Sequence, residues 1–85
     1  ASEPEVLVKE DNGLDHKTTM WRVVSEKDGK YLLNILNFGH NTAKLQLSMK
    51  NGQSASVKNM MTSNLMDTTF ELPSEGVLLL EITPQ

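Results

Sequence analysis

The chain has 85 residues, no cysteine and a formal net charge of −3, from eight Lys and Arg against eleven Asp and Glu. This length allows one domain with a small core, and the lack of cysteine excludes disulfides and thiolate metal sites. The charges are scattered, so the sequence lacks the basic stripe that binds a nucleic acid backbone. Its longest apolar run is too short to span a bilayer. We therefore predict neither nucleic acid nor membrane as a partner.

Seven short runs along the chain have the pattern of β-strands. They are rich in β-branched and aromatic residues, or they alternate apolar with polar residues. The predicted strands cover Pro4–Lys9, Thr18–Glu26, Tyr31–Phe38, Thr42–Met49, Ala55–Thr62, Asp67–Leu72 and Val77–Thr83. No window has a sustained helical period. The pattern predicts an all-β fold, a single antiparallel β-sandwich over residues 1–85 with about seven strands in a Greek-key or immunoglobulin-like architecture.

Turn residues separate the predicted strands. Asp28-Gly29 lies between two of them and is a strong hairpin signal, and Asn51-Gly52 is a second hairpin-type turn. We predict residues 63–66 as a connection between strands. Residues 1–17 are either an edge strand followed by a polar loop or a frayed linker end. The first residue is Ala1 rather than Met, so we expect a processed protein or a piece from the C-terminal region of a longer one.

Two predicted strands are apolar on both faces. In Tyr31–Phe38, Leu32 and Leu36 lie opposite the apolar residues of the other face, and Val77–Thr83 has the same character. A free-standing sandwich normally keeps the outer face of each sheet polar, because that face meets water. We therefore predict a cover on the outer side of these strands. It is either a loop of the same chain, such as residues 10–17, or a neighbouring domain.

The predicted core takes apolar residues of one parity from five strands. Because side chains alternate along a strand, an error of one residue would exchange its two faces. The predicted core residues are Trp21, Val23, Leu33, Ile35, Leu45, Leu47, Phe70, Leu72, Leu78 and Leu80.

No residue pattern identifies a chemical activity. The loop Asp11–His16 collects oxygen and nitrogen ligands, but it lacks the spacing and the distant Glu of a calcium loop, so we interpret it as a polar turn. His16 and His40 have no Ser and Asp partners at a recognisable spacing. We predict no catalytic residue, no cofactor and no metal site.

The four aromatic residues are the candidates for a platform that stacks on sugar rings. Such a platform requires an exposed aromatic pair, whereas packing in the core or against another domain requires burial. We favour packing, because large aromatic side chains supply much of the buried area of small folds. The four residues are Trp21, Tyr31, Phe38 and Phe70.

Three segments, in order, resemble a known module. Residues 20–47 contain an R-V-V core, a D-G hairpin and a strand of the form Y-L-L-N-x-x-N. The segments VKNMMTSN (57–64) and FELPSEGVLLLEI (70–82) follow. Together they resemble the small C-terminal β-sandwich of glycoside hydrolases of the family 42 β-galactosidase type and related barrel glycosidases. Asn59 and Ser63 stand where that module has an acidic residue and a glycine.

The resemblance implies a non-catalytic accessory domain of a larger carbohydrate-active enzyme, whose partner is the catalytic barrel of the parent chain. The catalytic carboxylates of that family lie in the barrel, so no catalytic residue transfers to this chain. The strands that are apolar on both faces agree with such a partner. Two alternatives stay open, a carbohydrate-binding module with its own ligand and a free-standing protein-interaction sandwich.

Overall fold

Two antiparallel sheets make up the structure, a computed structural model that describes residues 5–85. The strands are β1 (Val6–Asp11), β2 (Thr19–Lys27), β3 (Lys30–Asn37), β4 (Ala43–Met49), β5 (Ala55–Asn59), β6 (Asn64–Met66), β7 (Thr69–Leu72) and β8 (Val77–Pro84). One sheet has the order β1-β4-β7 and the other the order β2-β3-β8-β5-β6. The prediction of an all-β antiparallel sandwich is confirmed.

The core lies between the two sheets. Along β4, buried and exposed residues alternate without exception, because successive side chains of a strand point to opposite faces. The buried apolar residues are Val6, Val8, Leu33, Ile35, Ala43, Leu45, Leu47, Met49, Val57, Leu72, Leu80 and Ile82.

The predicted face is correct in every strand for which a core residue was named. Trp21, Val23, Phe70 and Leu78, however, are only partly buried and pack against the core from its margin. Trp21 and Val23 lie on β2, an edge strand of the five-stranded sheet. They are only partly buried because the three-stranded sheet is too narrow to cover that edge. The other six predicted residues are buried. The prediction omitted β1 and β5 as contributors to the core.

The structure corrects the prediction for residues 55–66. The segment 63–66, predicted as a connection, contains strand β6, which pairs with β5. The predicted strand Ala55–Thr62 ends at Asn59, and a turn follows. In that turn Ser63 has a φ of 65°, in the left-handed region that favours glycine. This is the position where the related module has glycine.

The two predicted hairpin turns differ in outcome. Asp28 and Gly29 have φ values of 55° and 78°, as a type I′ hairpin turn requires, and Lys27 pairs with Lys30 around them. The turn at Asn51-Gly52 also forms, but it joins β4 of one sheet to β5 of the other. It is therefore a crossing between sheets and not a hairpin.

The first strand of the described residues, β1, is an edge strand of the three-stranded sheet. Strand β1 covers Val6–Asp11, and the loop after it runs to the start of β2. Residues 1–4, including Pro4 of the predicted first strand and the start of the segment 1–17, lie outside the described residues. No helix in the described part of the chain could cross a membrane.

Candidate docking surface

The outer face of the five-stranded sheet is the side that points away from the three-stranded sheet. Strand register places its side chains in rows that run across the strands. Met20, Leu36 and Val77 lie opposite one another on β2, β3 and β8 and form the first row. All three side chains are apolar. The first row therefore presents a continuous apolar strip across the centre and one edge of the sheet.

The second row is mixed in character. Arg22 lies opposite Asn34, and Asn34 lies opposite Leu79. Beyond Leu79, the Met60 amide donates a hydrogen bond of 2.8 Å to the Leu79 carbonyl. The second row thus contains one cation, Arg22, the neutral amide of Asn34 and the apolar side chains of Leu79 and Met60.

The third row contains one carboxylate with two neighbouring lysines. Leu32 lies opposite Glu81, Glu81 opposite Lys58, and Lys58 opposite Leu65. The Lys30 Nζ lies 4.0 Å from a carboxylate oxygen of Glu81. Glu81 therefore has both lysines as counter-charges, and the three groups together carry one net positive charge.

The outer face is open to solvent in the structure. Met20 is 62% exposed, Val77 53% and Leu65 78%, while Leu36 and Leu79 are half-buried. Contiguous exposed apolar residues of this kind are typical of interaction surfaces in soluble proteins. The predicted doubly apolar character of β3 and β8 is thus present, and residues 5–85 provide no cover for it.

The loop at residues 10–17, one of the two predicted covers, does not lie on the outer face. The Asn12 amide nitrogen donates to the His16 carbonyl and to the Thr18 hydroxyl, at 3.0 and 3.2 Å. The Asn41 side chain donates to the Asn12 carbonyl at 3.2 Å. These bonds hold the loop at one end of the sandwich, so this half of the prediction is wrong.

A polar cluster around Glu10 closes that end. Its carboxylate accepts hydrogen bonds from the Thr18 amide at 2.8 Å, from the Thr19 amide at 3.1 Å and from the Thr19 hydroxyl. The Asn12 side chain also donates to it, at 2.6 Å. Burial of the carboxyl raises its pKa, but the hydrogen bonds from Thr19 and Thr18 outweigh that effect, and the pKa of Glu10 is lowered.

Asn37 is the buried centre of the same end. The Thr18 hydroxyl and the Gly39 amide donate to its Oδ1, at 3.0 and 2.9 Å. Its Nδ2 donates to the carbonyls of Asn41 and Leu72, at 2.9 and 3.0 Å. Sequence reasoning missed this residue. The available signal was its parity, since a polar residue on the core face of a strand requires buried partners.

The predicted candidates for a sugar platform do not form an exposed pair. Trp21 lies opposite Ile35 and not opposite Tyr31, and Trp21, Tyr31 and Phe70 are partly buried against the core. Partial burial, and then nearby carboxylates, raise the pKa of Tyr31. Phe38 is 57% exposed, beside the end of the sandwich.

The histidines lie near Phe38 and are separate from the outer face. His16 Nδ1 lies 3.1 Å from an oxygen of Asp15 in an exposed loop. His16 and His40 line one groove together with Phe38. Within residues 5–85, no three or more His, Asp and Glu side chains converge as metal ligands would.

The chain matches part of a larger enzyme of known structure. Neither the comparison with family models nor that with curated proteins finds a match. Among solved structures, the chain matches the crystal structure of an apo exo-carrageenase GH42 from Bacteroides ovatus, with a TM-score of 0.89 and 28% sequence identity. The match covers 96% of this chain and 11% of the exo-carrageenase chain. The predicted resemblance is confirmed: this chain is similar in fold and sequence to a small domain of a family 42 glycoside hydrolase.

Proposed function

We propose that this chain is a non-catalytic accessory domain of a larger glycoside hydrolase of the family 42, β-galactosidase-like type, and that it packs against the catalytic domain of its parent chain. The observation that carries this proposal is the match of nearly the whole chain to 11% of a GH42 exo-carrageenase. A catalytic (β/α)₈ barrel takes roughly 250 residues. A β-sandwich of 85 residues is an accessory part of such an enzyme.

The hydrogen bonds of Glu10 fit a structural carboxylate and not a catalytic acid. Glycoside hydrolysis uses two carboxyl groups on either side of the scissile bond, one of them an acid with a raised pKa. The shift at Glu10 has the opposite direction, because that carboxylate is held ionised by hydrogen bonds from Thr18 and Thr19. Glu10 is therefore a structural group that ties the first loop to β2.

The outer face supports the packing role. Its first row is wholly apolar, and its exposed residues would leave water when a second surface covers them. The remainder of the parent chain is the occupant that is always present at high effective concentration, because it is covalently linked. We therefore assign the outer face to contact with the catalytic domain.

The test uses the full-length product of the gene that encodes this chain. Leu36→Asp places a charge in the first row, and we expect it to separate the domain from the rest of the enzyme and to speed limited proteolysis between them. Gln46→Asp is the matched control, because Gln46 is exposed on the central strand of the other sheet. Equal proteolysis rates for the two variants and the parent would contradict docking through this face.

Two further measurements test the remaining parts of the proposal. The 85-residue chain should hydrolyse no galactose-containing substrate. Turnover that stays with the purified chain through successive purification steps would overturn the non-catalytic role. Titration of labelled chain with galactose-containing oligosaccharides should give no saturable chemical shifts. Saturable shifts around Phe38 would instead favour the carbohydrate-binding alternative.

A further inference from the structure

The outer face carries a positive charge, that of Arg22, which the described residues leave unpaired. Arg22 lies on the exposed side of β2, and its cross-strand neighbour is the neutral Asn34. Within residues 5–85, Arg22 has neither an ion pair nor a side-chain hydrogen bond. Lys58 and Lys30, by contrast, both have Glu81 as a neighbouring carboxylate. Arg22 is therefore a cation of this face that has no carboxylate beside it.

Its surroundings are apolar. Met20, Arg22, Asn34 and Leu36 line one shallow depression of about 90 Å³. The Asn34 amide nitrogen already donates to the Leu78 carbonyl, at 3.2 Å. The guanidinium is the charged donor group at a depression whose other walls are mainly hydrocarbon.

When a second surface docks on the outer face, the groups opposite Arg22 determine whether its charge favours or opposes the association. A guanidinium that loses water without gaining a counter-charge opposes association, whereas one that meets a carboxylate forms a directional, bidentate pair. Arginine is suited to such contacts because its planar fork matches the two carboxylate oxygens. The partner surface must therefore be apolar opposite the first row and acidic opposite Arg22.

We propose that Arg22 pairs with a carboxylate of the catalytic domain of the parent chain and fixes the position of that domain on the outer face. This inference rests on the proposed function. A second copy of this chain is a poorer occupant, because within residues 5–85 the outer face offers Glu81 alone as an acid. That carboxylate already lies opposite Lys58 and 4.0 Å from the Lys30 Nζ.

The experiment compares charge reversals in the full-length gene product. Arg22→Glu should increase the rate of proteolysis between the domains by at least about tenfold, the effect of opposing like charges in a desolvated pair. Lys9→Glu is the matched control. Lys9 is likewise an exposed cation on an edge strand opposite a neutral amide, Gln46, but in the other sheet. It should leave the rate unchanged.

The outcomes separate this inference from the proposed function. If Leu36→Asp speeds proteolysis and Arg22→Glu does not, the outer face docks but Arg22 is not its charged contact. If neither variant has an effect, docking through this face is itself wrong. The 85-residue chain should unfold at the same urea concentration with and without Arg22→Glu, since an unpaired exposed cation adds little stability. A lowered midpoint, or a dimer of the chain that Arg22→Glu dissociates, would overturn the proposal.

Discussion

The side-chain amide of Asn37, the last residue of β3, donates a hydrogen bond of 3.0 Å to the main-chain carbonyl of Leu72, the last residue of β7. The two strands belong to different sheets, and both residues are buried. The other contacts of Asn37, to Thr18, Gly39 and Asn41, use the rest of its hydrogen-bonding capacity. One side chain thus joins the two sheets and the loops between them.

Replacement of Asn37 by Ala should therefore destabilise the domain strongly. It leaves the buried Leu72 carbonyl, and the partly buried Asn41 carbonyl and Gly39 amide, without their partner, and we expect a loss of about 3 kcal/mol in the free energy of unfolding. Urea unfolding of the 85-residue chain measures this loss. Asn51→Ala is the control, because Asn51 accepts from the Gln53 amide in an exposed turn. Similar losses for both variants would contradict the role of Asn37.

Glu10 should make the stability of the domain depend on acid pH. Its pKa in the folded state lies below the ordinary value of 4.5 that we take for the unfolded chain. The stabilisation from the ionised carboxylate is therefore fully present above about pH 4.5 and is lost as the pH falls through the lowered folded value. Urea unfolding from neutral pH down to about pH 3 should show this decline.

Glu10→Gln should lower the stability at neutral pH and flatten the acid decline. The neutral amide cannot accept the hydrogen bonds of Thr18 and Thr19 with the strength of a carboxylate. Glu71→Gln, on the exposed side of β7, controls for the loss of one negative charge. An acid decline as steep in Glu10→Gln as in the parent chain would show that Glu10 is not its source.

Adjacent leucines of β8 should respond very differently to truncation. Leu80 is fully buried between the sheets, so Leu80→Ala should cost about 2–5 kcal/mol by leaving a cavity. Leu79 is half-buried on the outer face, and Leu79→Ala should cost the 85-residue chain no more than about 1 kcal/mol. Urea unfolding of both variants checks the assignment. A larger loss for Leu79→Ala would mean that the faces of β8 are exchanged.

Two glycines should be needed for different physical reasons. Gly29 has a φ of 78° and open space where a Cβ would lie, so Gly29→Ala should cost only about 1 kcal/mol of backbone strain. At Gly39, an added Cβ would lie 2.6 Å from the Thr18 Cβ, so Gly39→Ala should cost more, because packed atoms must move. Unfolding midpoints in urea give the comparison. The reverse order would contradict the tight contact between Gly39 and Thr18.

The candidate surface was predictable in part. The apolar residues Leu32 and Leu36, opposite the core face of their strand, already indicate an outer side that needs a cover. Which residues share a row is a matter of register: the hairpin at Asp28-Gly29 brings Met20 opposite Leu36, whereas Leu36 pairs with Val77 on a strand distant in sequence. The isolation of Arg22 could not be predicted, because it depends on which side chains stand opposite it.

The sequence by itself determined the all-β class, the faces of the strands and the hairpin at Asp28-Gly29. These features follow from the alternation of side chains and from the φ values that Gly and Asp tolerate, and both act within a few residues. Only the tertiary structure decided that Asn51-Gly52 crosses between sheets, that β8 lies between β3 and β5, and that Asn37 reaches Leu72. Such pairings depend on the burial of the whole core, which no local pattern contains.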